Sequence, residues 1–244
     1  MIKVATIGLI VNQGSISERK FYNMALVTFE DIKENKLINA LIERGDYVLK
    51  AIGYTEHSKA HAMKISTTAA NILSTLGYST EEIELARIAG YIHDIGNVVN
   101  RTDHAHSGAI LAFDILKNIE MDPNDILTIV TAIGHHDENT GNAINPVSAA
   151  VILADKSDVR RNRVRNRDFS TFDIHDRVNY AVTSSNLEVD SKRKEINLIL
   201  EIDNSISSIM DYFEIFLQRM IMCRRASELL DCRFRFTVNG FSIL

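Results

Sequence analysis

Residues 79–96 read STEEIELARIAGYIHDIG. Ser79-Thr80-Glu81-Glu82 is a helix start: a side-chain oxygen is available to cap the first free N–H groups, and acids sit near the positive end of the helix dipole. Ile83, Ala86, Ala89, Gly90 and His93 then recur at steps of three and four, the period of one helix face. The run ends on His93-Asp94, and Gly96 reads as the stop. An amphipathic helix that closes on a histidine and an aspartate predicts a helical core with chemistry at its helix ends.

The same pattern extends outward. Thr28 caps a helix expected to carry Ile32, Leu37, Ile38 and Leu41. Asp122-Pro123 and Asn145-Pro146 hold the chain's two prolines. Each places a capping residue before a proline that suits the first helical position, where a missing N–H costs nothing. Beyond Phe169 the period changes. Ser185–Val189 and Ile196–Ile202 read as strands around the polar turn Asp190-Ser191-Lys192-Arg193, and Phe234–Val238 reads as a last strand. Between them lies a long helical pattern with Met210, Phe213, Phe216, Leu217 and Met220, expected to cover the small sheet or to mediate a homodimer. The expected fold is therefore mainly α: a helical domain over residues 28–168 and a small α+β element over 169–244. Residues 1–27 read as an N-terminal extension, with strand character from Val4 to Val11 and a turn at Asn12-Gln13-Gly14-Ser15.

Composition narrows the class. With 45% hydrophobic and 24% charged residues and a net charge of -5, the chain reads as an ordinary globular protein and not as an electrostatic nucleic-acid binder. No apolar run approaches a membrane span. The two cysteines, Cys223 and Cys232, form no pairing framework, so a reducing, cytoplasmic setting is expected.

Seven of the eight histidines fall between His57 and His136. His57 and His61 are four apart, so a helix would project both from one face. His104 and His106 flank the next helix start, His135-His136 ends the helix begun at Pro123, and Asp155 lies in the helix begun at Pro146. Clustered imidazoles and carboxylates suit zinc, iron, manganese or related ions, and helices can converge them on one core site. His175 stands outside the cluster and is read as structural.

The ordered set His61, His93-Asp94 and Asp155 resembles the HD-domain superfamily of metal-dependent phosphohydrolases. His104-Ala105-His106-Ser107-Gly108 is similar to the helix start of its two-metal branch, and His135-His136-Asp137 resembles the His-His-acid element of that branch, seen also in the cyclic-dinucleotide phosphodiesterases. The resemblance covers roughly residues 50–165 and implies an HD-type helical bundle. It implies a first metal on His61, His93, Asp94 and Asp155, and a second on Asp94, His104 and His136 or His135, with His57 as an extra ligand. Two divalent ions among Fe, Mn, Mg, Co and Zn would activate water against a phosphate ester of a nucleotide or other small phosphorylated metabolite. The Gly-Tyr-Pro element is missing: Asp137-Glu138-Asn139-Thr140-Gly141 follows His136, which argues against cyclic di-GMP. Lys156 or Asp158 is the expected acid/base helper. Arg160 and Arg163, from the five arginines of residues 160–167, are the expected phosphate contacts. The segment Asp137–Asn145 reads as a polar loop able to close over substrate. A two-iron oxygenase and a metal-containing regulatory or ligand-binding module are the alternatives.

Overall fold

The computed structural model describes residues 27–244. The expectations for the first 26 residues, the strand and turn included, lie outside the described residues. Nine α-helices precede or interleave a four-stranded sheet among the described residues: α1 Phe29–Glu34, α2 Lys36–Ala51, α3 Lys59–Leu76, α4 Thr80–Ile92, α5 His104–Asn118, α6 Pro123–Gly134, α7 Pro146–Lys156, α8 Ile174–Ala181, β1 Val182–Asp190, β2 Glu195–Ile202, α9 Ile209–Leu229, β3 Arg233–Val238 and β4 Phe241–Ser242. The fold is mainly α with a small C-terminal sheet.

Local chemistry sets the helix starts. Ser79 and Glu82 cap each other reciprocally at the head of α4. Asn145 and Ser148 do the same at α7, where Pro146 takes the first turn, and Asp122 caps α6 ahead of Pro123. Thr28 forms a capping box with Asp31, but its helix stops after one turn and a half. Asn35 adopts extended backbone and accepts from the Leu37 and Ile38 N–H groups, so it caps a second helix where one continuous helix was predicted. A strong cap inside an apolar period is a break.

The helical core centres on α3, α4 and α7, which pack on one another, with α5 and α6 as an antiparallel neighbour pair. Small residues let the chains approach closely. A Cβ on Gly90 would sit 3.0 Å from the Ser66 backbone, which draws α4 tight against α3. Ile65, Ile72, Leu73, Ile88, Ile92 and Ile152 are buried between them.

The sheet order is β1-β2-β3-β4, with β1–β2 and β3–β4 antiparallel and β2–β3 parallel. Parallel neighbours need a crossover, and α9 is that crossover. It packs against α7 as well as against β2 and β3, and one apolar cluster runs from the bundle into the sheet. Phe216 and Met220 are buried as the α9 pattern predicts, but Met210 and Leu217 are exposed. The strand pair β1–β2 is longer than its sequence pattern, and β4 was not anticipated. No helix among the described residues is long and apolar enough to cross a membrane.

Candidate metal centre

Asp94 lies at the middle of a buried group of side chains drawn from five parts of the chain. One carboxylate oxygen, Oδ2, is 3.2 Å from His93 Nε2, 3.7 Å from His61 Nε2 and 4.0 Å from His57 Nε2. The other, Oδ1, is 3.4 Å from His104 Nε2 and 3.7 Å from His136 Nε2. Asp155 Oδ1 closes the first side, 3.6 Å from His61 Nε2 and 3.7 Å from His93 Nε2. Donors about 2.1 Å from a tetrahedral ion lie about 3.4 Å apart, so these spacings match those of ligands around a small dication. Two groups emerge, His61–His93–Asp155 and His93–Asp94–His136.

The imidazole tautomers carry more weight than the distances. His57, His93, His104 and His136 each place Nδ1 within 2.7–3.0 Å of a backbone carbonyl, those of Thr55, Gly90, Arg101 and Ile133. His61 Nδ1 lies 2.8 Å from Asp158 Oδ2. A carbonyl or carboxylate only accepts, so Nδ1 carries the proton and a neutral ring turns a bare Nε2 lone pair inward. His61 Nε2 and His93 Nε2 are buried without any hydrogen-bond partner. His104 Nε2 and His136 Nε2 face each other at 3.1 Å, which places lone pair against lone pair. Converging lone pairs and two carboxylates repel one another until a cation stands between them. The residues present fit divalent ions.

Each ligand has a local reason for its place. His61 is in the first turn of α3, capped by Ser58. His57 precedes that cap, so it does not share a helix with His61 as predicted. It arrives from the loop, with its backbone N–H on Asp46, and its ring still lies 5.3 Å from that of His61. His93 ends α4, and a 3-10 turn over Ile95–Val98 follows. Gly96 is not the helix stop that was expected. A Cβ there would lie 2.0 Å from the His104 carbonyl oxygen and 2.5 Å from Gly108 N, so the missing side chain lets that turn press on the start of α5. The spacing His104-to-Gly108 has the same cause: a Cβ on Gly108 would sit 3.2 Å from Gly96 N. Asp103, at φ 58, turns the chain into α5 through the left-handed region, which aspartate tolerates better than most residues. We expect Gly96→Ala to destabilise the protein by about 3 kcal/mol and to weaken ion binding by displacing His104. Urea unfolding measures the first effect, and an unchanged midpoint would show that the backbone contact is not needed.

Of the paired histidines, His136 joins the cluster and His135 stays outside both ligand groups. His135 caps the end of α6, and its carbonyl meets the turn at Gly141, where a Cβ would come within 2.1 Å. His106 is exposed and pairs with Asp103 at 3.6 Å.

The two expected phosphate contacts fall in different places. Arg160 forks onto Asp158 at 2.6 and 3.0 Å and does not line the cavity. Arg163 lines the cavity, but it is largely buried and donates to the carbonyls of Glu56 and Asp158. Both serve as counter-charges and ties around Asp158, whose carboxyl is held well below its usual range by His61 and Arg163 although burial opposes this. Asp158 has no freedom to act as a base, since Lys64 also approaches it at 2.8 Å. Its position three residues after Asp155 was visible, but its bond to His61 Nδ1 was not.

Lys156 is 3% exposed and contacts Asp155 Oδ2 and Glu138 Oε2, each at 2.7 Å. Burial favours its neutral form, but the two carboxylates outweigh burial and raise its pKa. It is held as a cation between the two carboxylates.

The cluster opens into a cavity of about 700 Å³. Arg101 lies on its wall, with NH1 3.9 Å from Asp94 Oδ1 and 3.3 Å from His104 Nε2, and its guanidinium rests on the Tyr54 ring. Arg219 and Phe216 reach the wall from α9, and His175 with Asp173 and Asp176 lines the side formed by α8. Sequence reasoning missed Arg101, Arg219 and Glu138 and set His175 aside, because none carries a spacing signal that ties it to the histidines.

Comparison with known proteins follows the same segment. Residues 54–160 match the family model described as HD domain. An uncharacterized protein of Methanocaldococcus jannaschii is 25% identical over 159 residues, which are 56% of this chain and 61% of that protein. The chain therefore spans less than two thirds of that relative's length. A crystal structure described as a predicted HD superfamily hydrolase from an uncultured Thermotogales bacterium is 23% identical. It aligns with 51% of this chain and 68% of that one, at a TM-score of 0.41.

Proposed function

We propose, starting from the HD domain that occupies residues 54–160, that the chain is a metal-dependent phosphohydrolase acting on a nucleotide or another small phosphorylated metabolite. The observation that carries this reading is the set of Nδ1-anchored imidazoles aiming bare Nε2 atoms at Asp94 and Asp155. His61, His93, Asp94 and Asp155 would hold one divalent ion, and Asp94, His104 and His136 a second, with His57 beside the first. Bound ions supply Lewis acidity and hydroxide at neutral pH, since water on a metal titrates at about 7.

The chain's own groups then divide the work. Asp158 and four backbone carbonyls hold the proton on Nδ1 and keep Nε2 aimed inward. Arg101 joins Arg163 in the phosphate-facing role, because its guanidinium borders both Asp94 and the open cavity, whereas Arg160 lies off that cavity. Lys156 and Arg219 add positive charge to the same wall, which offsets the carboxylates and makes an anionic substrate acceptable there. The polar chain from Asp137 to Thr140 borders the cavity and would contact the rest of the substrate.

The test is phosphate release by purified full-length protein from a panel of nucleotides and sugar phosphates, each offered with Mn, Fe, Mg or Co. We expect release that requires the metal and disappears with a chelator. Silence across all metals and substrates would end this reading, and substrate-dependent oxygen uptake by the iron-loaded protein would replace it with the oxygenase.

A further inference from the structure

A line of charged contacts leaves the metal centre and ends on α9, outside the HD segment. Asp155 Oδ1 faces His61 and His93, while Oδ2 lies 2.7 Å from Lys156 Nζ. The same ammonium lies 2.7 Å from Glu138 Oε2. Glu138 Oε1 accepts from Arg219 Nε at 3.0 Å. Two carboxylates and two cations thus alternate in the order Arg219, Glu138, Lys156, Asp155. Burial raises the cost of leaving any of them unbalanced.

We propose that Arg219 is a positioning residue for the metal centre: acting through Glu138 and Lys156, it sets how far Asp155 Oδ2 is withheld from the ion. This rests on the metal-dependent reading above. The reasoning is a competition for one ammonium. Arg219 partly neutralises Glu138, so Lys156 leans toward Asp155 and occupies Oδ2. Asp155 then offers the ion Oδ1 alone, which leaves coordination space for water and substrate. Without Arg219, Glu138 draws Lys156 away, Oδ2 is released and Asp155 grips with both oxygens. With Glu138 neutral, Lys156 belongs wholly to Asp155 and the grip weakens. Arg219 and Glu138 therefore act with opposite sign, and a loss of packing would not produce that.

The test is a Co²⁺ titration of the metal-stripped full-length chain, followed by the cobalt visible spectrum, alongside phosphate release. Arg219→Met is expected to tighten Co²⁺ binding and to lower kcat. Glu138→Gln is expected to loosen binding. Each change is about tenfold, the usual size for residues that support metal ligands. Arg219→Lys, which keeps the charge, is expected to recover most of the wild-type behaviour. In the Glu138→Gln background Arg219→Met should have no further effect on affinity, because the intermediary is gone. A field effect of the lost charge would persist there, and that result overturns the proposal. So does loosening of Co²⁺ in both single variants, with circular dichroism confirming that each is folded. If the cobalt arms behave as expected and no substrate yields phosphate, the proposed reaction fails and this inference stands. If the wild-type chain takes up no Co²⁺, both fall.

Discussion

Asp94→Asn is expected to abolish phosphate release and the response of the protein to added metal, while leaving a folded chain. Among the described residues, Asp94 is the side chain whose two oxygens face both sets of histidines, Oδ2 toward His61 and His93 and Oδ1 toward His104 and His136. An amide keeps the shape but removes the charge and replaces one oxygen with a donor. That donor can satisfy an inward Nε2 lone pair, which helps keep the metal-free variant folded. A metal contributes several kcal/mol to transition-state stabilisation, so the loss is on the order of 10³-fold or more. The checks are phosphate release and the shift of melting temperature on adding Mn²⁺. A variant that keeps either would remove Asp94 from the centre.

The second large effect is a stability maximum near pH 6.5 in the metal-stripped protein. Burial, with Arg163, lowers His61 to about 4, and burial, with His136 and Arg101, lowers His104 to about 4. Folded-state values below the unfolded one mean that the unfolded chain binds more protons. Their contribution is intact above about 6.5 and is lost as pH falls toward about 4. His93 has the opposite sign. Burial lowers it, but Asp94 and Asp155 outweigh burial and raise it to about 10. Its contribution is intact below about 6.5 and is lost as pH rises toward about 10. On each side the fall is on the order of a few kcal/mol. An ion takes the place of the His93 proton, so loading should move the maximum upward. Thermal melts from pH 4 to 9, with and without Mn²⁺, check both statements, and a metal-free melting temperature still rising at pH 9 would refute the first.

Much of this arrangement was legible beforehand, for physical reasons that differ by residue. The helix starts at Ser79, Asp122 and Asn145 were readable because capping and proline act within four residues. The ligand order was readable because imidazoles and carboxylates carry their chemistry in their names. Asn35 was missed because a cap and a polar position on a helix face look alike in a string. His57 was placed on a helix because a four-residue step implies one, yet Ser58 starts the helix just after it. Arg160 and Arg163 illustrate a harder reading. A run of arginines says that an anion is near, but it does not say whether that anion is a substrate or the protein's own Asp158. Arg101 and Arg219 stand alone in the string, and only the folded chain brings them to the cavity.

The parallel pairing of β2 with β3 obliges the chain to travel from one end of the sheet to the other between them, and α9 makes that journey. The connector that completes the sheet is thus also part of the chamber's wall, through Phe216 and Arg219. Peeling that side of the chamber away would break the sheet's continuity as well, so breathing at the mouth of the cavity and fraying of the carboxyl-terminal layer belong to a single cooperative unit.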